Sequence, residues 1–165
     1  MTTIRKNLLN IEEGFIFQQV NCQGAYGAGL SGAIAKKWPI VEKFYRGGFQ
    51  SFVDDKDTLP DFEWLGECIP ISVNDKITVC NIYGQLYCGN NGRQTDYCAI
   101  AAALKWFNGW IKSFKDHERE KLREMYSWPK YFPKLFGAGL GGGDMKTIHR
   151  IIEYYIPEAI LVEFQ

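Results

Sequence analysis

The sequence predicts an α/β fold in three layers, a mixed central sheet of about six strands covered by helices on both faces. Three observations carry this. Strand-like runs alternate with segments of helical period. Two glycine-rich loops, one from Asn21 to Gly29 and one from Gly137 to Asp144, each follow an apolar run and open a helical stretch. Finally, the apolar runs Gly66 to Val73 and Lys76 to Tyr83 are separated only by Asn74-Asp75, the pattern of a hairpin, so one strand pair is antiparallel.

In order along the chain, Ile4 to Leu9 is expected to form a short first strand and Phe15 to Val20 a second, β-branched and aromatic. Leu30, Ala33 and Ile34 follow helical spacing as far as Trp38-Pro39, and Ile40 to Arg46 is a second helical piece stopped by Gly47-Gly48. Phe49 to Trp64, with acidic residues, Pro60 and no clean period, reads as a surface excursion. After the hairpin, Tyr87 to Arg93 is a Gly- and Asn-rich loop, and Thr95 or Asp96 caps the next helix. Tyr97, Ile100, Leu104, Phe107, Ile111 and Phe114 mark the apolar stripe of that helix, the longest in the chain. Asp116 to Glu124 is a charged, solvated stretch broken by Trp128-Pro129. A strand from Tyr131 to Phe136, a helix from Asp144 to Ile156 and a last strand from Ala159 to Phe164 complete the chain.

With 165 residues, 46% hydrophobic and 15% aromatic, the chain is expected to bury one core as a single domain spanning 1–165. Lys and Arg number 19 and so do Asp and Glu, so no net field attracts nucleic acid or an anionic membrane. Any anion has to be held by local geometry. No signal-peptide core and no membrane-spanning run is visible, and a cytoplasmic location is expected. The five cysteines form no Cys-x-x-Cys pair and only His117 and His149 accompany them, so neither a metal site nor a cofactor is expected. Most of the thiols are expected to be reduced and buried, Cys22 among them. His149 borders the apolar face of its helix and reads as structural.

The glycine loops carry the chemistry. Glycine lets a backbone approach a ligand closely, and the unpaired N–H groups opening a helix attract anions, so the stretch from Gly137 to Asp144 favours a phosphate. Its simpler reading is a tight turn with Asp144 as N-cap. Because both loops leave the carboxyl ends of strands, they can meet at one crevice.

The run from Gln18 to Leu30, the block Asn81 to Gln85 with Thr95 to Tyr97, and the run from Phe136 to Asp144 resemble, in order, three ligand-binding blocks of macro domains, the ADP-ribose-binding modules. The resemblance spans nearly the whole chain, leaving out Phe49 to Trp64 and Asp116 to Trp128. Within the family it points to the branch of ADP-ribose 1''-phosphate phosphatases and ADP-ribosyl hydrolases that is common in phages and microbes. It implies a ligand that is an ADP-ribose derivative, free or attached to a protein partner, and hydrolysis of a phosphate or ester-linked group at the distal ribose. The alternative it leaves is a capture module that binds ADP-ribose or an NAD-derived signalling nucleotide without turnover.

Position by position, the resemblance implies ligand contacts from Asn7, Gln19, Asn21, Tyr26, Gly27, Ala28, Gly29 and Leu30 in the first part of the chain. It implies further contacts from Gly137, Ala138, Gly139, Leu140, Gly141 and Gly142. Asn21 would hold the distal ribose, since an amide both donates to and accepts from hydroxyls, and with Asp144 it makes the implied catalytic pair. Asp144 would orient a water or, on the simpler reading, cap its helix. Tyr26 would cover that ribose or pack over the first helix, and Gln85 and Tyr97 would support the pocket or lie at the core edge. Asn7 stands where the family usually has an aspartate reading the adenine amino group, and its oxygen can accept the same hydrogen bond. The chain departs from catalytic relatives in three places: Gln18 replaces a histidine, the block from Asn81 to Gln85 has no lysine, and Gly141 replaces an aspartate. Neither a glutamine nor a glycine can shuttle a proton.

Overall fold

A computed structural model describes residues 1–49, 62–89 and 91–164. Most of the predicted surface excursion between Phe49 and Trp64 lies outside the described residues. The strands are β1 (Thr2–Arg5), β2 (Gly14–Asn21), β3 (Cys68–Ser72), β4 (Ile77–Gln85), β5 (Lys130–Pro133) and β6 (Ile160–Glu163). The α-helices are α1 (Gly29–Lys37), α2 (Pro39–Gly47), α3 (Tyr97–Lys112), α4 (Glu120–Ser127) and α5 (Met145–Tyr155). The six strands form one sheet in the order β1-β6-β5-β2-β4-β3. Only the β3–β4 hairpin is antiparallel.

β2 and β4 are central, with a strand on each side and both faces covered, and their side chains are buried almost throughout. Period-2 alternation divides β2 between the two faces. Phe15 and Phe17 enter the larger core with Ile100, Leu104 and Phe107 of α3 and Ile148 and Ile152 of α5. The Phe17 and Phe132 rings stack with centroids 4.1 Å apart and planes within 7°. On the opposite face Ile16 packs with Ile34 of α1 and Val41 of α2. Val20 belongs to an adjoining aromatic cluster built on Tyr45, Phe49 and Tyr83.

Two element ends differ from the sequence expectation, each because of a local hydrogen bond. The first strand stops at Arg5 rather than Leu9, because Asn7 Oδ1 accepts from Leu9 N at 2.9 Å and turns Leu8–Asn10 into a 3₁₀ turn. The strand expected to reach Phe136 ends at Pro133, whose carbonyl accepts from Phe136 N at 2.8 Å, so the chain is already turning toward the glycine loop. A register shift between Val20 and Asn21 bends the end of β2 where it meets the other glycine loop. The parallel strands therefore deliver both loops to one edge of the sheet.

Phe17 is fully buried between α3 and β5. Phe17→Ala is expected to lower unfolding free energy by about 3–5 kcal/mol, read from the urea midpoint of the purified protein.

Candidate functional site

The first loop is folded by Asn21. Its Oδ1 accepts from Gln23 N at 2.9 Å and Ala25 N at 3.2 Å, and its Nδ2 donates to Ala25 O at 2.6 Å. The Tyr45 hydroxyl sits 2.9 Å from the same Oδ1 and 2.8 Å from the Asn21 carbonyl. Burial pushes the Tyr45 hydroxyl far above its ordinary pKa, so it remains a donor. Asn21 is only 7% exposed, and its amide is largely occupied in holding its own loop.

The loop then delivers the chain to α1, whose N-cap is Ala28, with no side-chain cap bond and no acidic residue in the first turn. The first-turn amides are left without a capping acceptor, and the helix dipole concentrates positive potential there. Tyr26 lies beside this end. Its hydroxyl accepts from Gln18 Nε2 at 2.7 Å and its ring packs 4.9 Å from that of Tyr45. Burial raises its pKa to about 12, so at neutral pH it can donate a hydrogen bond but not act as a base.

The second loop is clasped to the sheet by Thr95 and Gln19. Thr95 Oγ1 donates to Gly137 O at 2.6 Å, and the Thr95 and Gln94 amides donate to Gly141 O at 3.0 and 2.9 Å. Gln19 Nε2 reaches both Thr95 Oγ1 at 2.9 Å and Gln85 Oε1 at 2.7 Å. This closeness explains Gly141, where a Cβ would run into Thr95 Oγ1 and come within 2.8 Å of both Gln19 Nε2 and the Gly137 carbonyl. A carboxylate at position 141 is therefore excluded by packing. Gly137, with φ +66°, takes the left-handed conformation the turn needs. The amides of Ala138, Gly139, Gly142 and Gly143 bond inside the loop, whereas those of Leu140 and Gly141 make no backbone hydrogen bond among the described residues.

The two loops meet across a crevice with three connected compartments. The central one, about 280 Å³, runs between the α1 N-terminus (Ala28, Gly29, Leu30) and the second loop (Gly137, Gly139, Leu140, Gly141), over Gln18 and Gln19. Through Gln19, Ala28, Ser31, Gln85 and Leu140 it joins a more polar compartment of about 350 Å³ that also meets Asn21, Tyr26 and Cys88. Through Leu30, Pro133 and Leu135 it joins an apolar compartment of about 630 Å³, walled by Leu8, Ala33, Met145, Val162 and Phe164.

The structure thus gathers Gln19, Asn21, Tyr26, Ala28, Gly29, Leu30, Gly137, Gly139, Leu140 and Gly141 around one crevice. Asn7, Gly27, Ala138, Gly142 and Asp144 are not among the lining residues. Asn7 caps the 3₁₀ turn. Asp144 is the N-cap of α5: its Oδ2 accepts from Thr147 N and Thr147 Oγ1, both at 2.7 Å, and these bonds hold its pKa below the usual carboxylate value. The water-orienting alternative for Asp144 gives way to the cap. Tyr97 supports the loop from behind, its hydroxyl accepting from Asp144 N at 2.8 Å. His149 is structural, with Nε2 2.9 Å from Lys134 O. Cys22, Cys68 and Cys80 are buried while Cys88 and Cys98 are exposed, and no metal-ligand cluster occurs among the described residues.

Sequence reasoning missed the clasp by Thr95 and the apolar compartment. Nothing in sequence spacing pairs Thr95 with Gly137. An aromatic at the end of an otherwise buried strand was the available signal for Phe164, which is 77% exposed.

The sheet order, the two helical layers and the paired glycine loops define the macro-domain fold. Solved structures similar to this chain agree. A Bacteroides thetaiotaomicron protein of unknown function superposes with TM-score 0.77 at 22% identity, covering 99% of this chain and 97% of that one. The macrodomain of Mycobacterium tuberculosis DarG gives 0.69 at 15% identity, covering 99% and 95%. Thermosipho africanus DarTG in complex with ADP-ribose gives 0.67 at 13% identity over 99% of this chain and 42% of that one. No family model matches the sequence, and no curated protein matches it. Among the described residues, no helix is long and apolar enough to cross a membrane.

Asn21→Ala leaves the Gln23 and Ala25 amides and the Tyr45 hydroxyl without their shared acceptor. It is expected to cost about 2 kcal/mol or more, measured by denaturant unfolding. Asp144→Ala is expected to lower the melting temperature at neutral pH. The lowered carboxylate pKa stabilises the fold above the unfolded value, and that contribution is lost as pH falls through the folded one. The gap between the two proteins should therefore close on acidification, as followed by thermal scans across the acid range.

Proposed function

We propose that the crevice binds ADP-ribose, or a derivative substituted on its distal ribose, and that the protein captures this ligand without turning it over. The observation that carries the proposal is the order of the compartments. An apolar end of about 630 Å³ suits a purine, a central strait flanked by a helix N-terminus and a glycine loop suits a diphosphate, and a polar end suits a ribose. The chemistry of ADP-ribose runs in the same order. The diphosphate charge would meet the uncapped amides of α1 and those of Leu140 and Gly141, so no lysine is required. The ADP-ribose complex of the similar Thermosipho africanus protein supports the same ligand.

Capture is favoured over hydrolysis by the residues around the central and polar compartments. They are amides, glycines, small or aliphatic residues, a serine, the high-pKa Tyr26 and the Cys88 thiol. Gln18 stands with its amide bonded to Tyr26 and Asn81, and Gly141 has no room for a carboxylate. A general acid or base poised near neutral pH is what hydrolysis would need from these positions.

Calorimetric titration with ADP-ribose is expected to show one site. Leu140 is 63% exposed and borders both the central and polar compartments. Leu140→Glu should leave the melting temperature unchanged while weakening binding by on the order of tenfold or more, through repulsion of the diphosphate. Incubation with ADP-ribose 1''-phosphate should release no phosphate above background. Release would make the protein a hydrolase, and absence of any binding would remove the nucleotide reading.

A further inference from the structure

Resting on the nucleotide reading above, we propose that Lys134 and Glu163 together read the hydrogen-bonding edge of the ligand's purine base. The apolar compartment carries three charged residues on its wall, Lys6, Lys134 and Glu163. Glu163 is the last residue of β6, and Lys134 directly follows the neighbouring β5. Lys134 Nζ lies 2.8 Å from Glu163 Oε1, and on the other side Arg5 Nε of β1 lies 3.3 Å from Glu163 Oε2. The carboxylate is therefore held from both flanks, and the bonds to Lys134 and Arg5 keep its pKa below the usual value.

The backbone of Lys134 is held as well. Its N–H donates to Val162 O at 2.8 Å, and its carbonyl lies 2.9 Å from His149 Nε2 of α5. Both side chains remain about one-third exposed, 35% for Lys134 and 36% for Glu163, so a ligand in the compartment can reach them. Each carboxylate oxygen keeps acceptor capacity, and the ammonium keeps further N–H donors. An acceptor and a donor thus stand side by side on an otherwise apolar wall.

The 6-amino group and N1 of adenine present a donor beside an acceptor, the complement of this pair. A 6-oxo purine offers the same two positions with the roles exchanged, and the pair can meet it by exchanging roles too. What is read is the edge as a unit. Asn7 does not perform this task, because its Oδ1 is occupied by Leu9 N and the residue is not part of the compartment wall.

The test is competitive titration with ADP-ribose and with 1,N6-etheno-ADP-ribose, in which N1 and the amino nitrogen are joined in a ring and the edge is blocked. The unmodified protein should prefer ADP-ribose by on the order of tenfold, the worth of hydrogen bonds to charged groups in a partly exposed site. Glu163→Ala and Lys134→Met, each verified as folded by its melting curve, should bind the two nucleotides alike, whereas Asn7→Ala should keep the preference. The proposal is overturned if the unmodified protein binds both alike or if Glu163→Ala still discriminates. Failure of the unmodified protein to bind either nucleotide would instead overturn the nucleotide reading, and this proposal with it.

Discussion

The crevice depends on one small set of hydrogen bonds, those by which Gln19 and Thr95 hold the second glycine loop against the ends of β2 and β4. Thr95 bonds to Gly137 and Gly141 at once, and Gln19 ties Thr95 to Gln85. These contacts are short and lie largely out of water, where a lost partner is costly. They also restrict the sequence. Gly141 has no space for a side chain, so the clasp that shapes the anion-binding loop also removes the place where a catalytic carboxylate would stand.

The first loop is organised by a different device. Asn21 closes it from within and Tyr45 of α2 locks it from below, so that loop and helix layer are fixed together. Its exit leaves α1 without a capping side chain, which in an ordinary helix would be a defect. Facing a second loop with uncommitted amides, it becomes half of an anion site. Asp144 shows the contrast: α5 starts from the same glycine-rich architecture but is capped by its own carboxylate and lies outside the crevice. Two similar-looking strand–loop–helix passages therefore do different work, one left open for a ligand and one closed on itself.

Much of the fold was legible because it follows from periodicity. The apolar stripe of α3, the aromatic β2 and the Asn74-Asp75 hairpin each announce themselves locally, and the structure has all of them. The boundaries that differed, at Arg5 and Pro133, were set by single hydrogen bonds from Asn7 and to Phe136 that no periodic signal encodes. The same distinction runs through the site. Glycine loops after strands are visible in sequence, while the use of each amide depends on what stands opposite it in space.

By itself, then, the sequence determined the layered α/β architecture and the presence of two glycine loops suited to an anion, since both rest on local pattern and backbone freedom. Only the tertiary structure decided that Asn21 is occupied by its own loop, that Asp144 is a cap, and that Thr95 excludes a side chain at Gly141. It alone brought Phe164, Lys134 and Glu163 to the apolar end of the crevice. These outcomes depend on contacts between residues far apart in the chain, where hydrogen-bond partners and space are allotted by packing and not by the identity of neighbours in sequence.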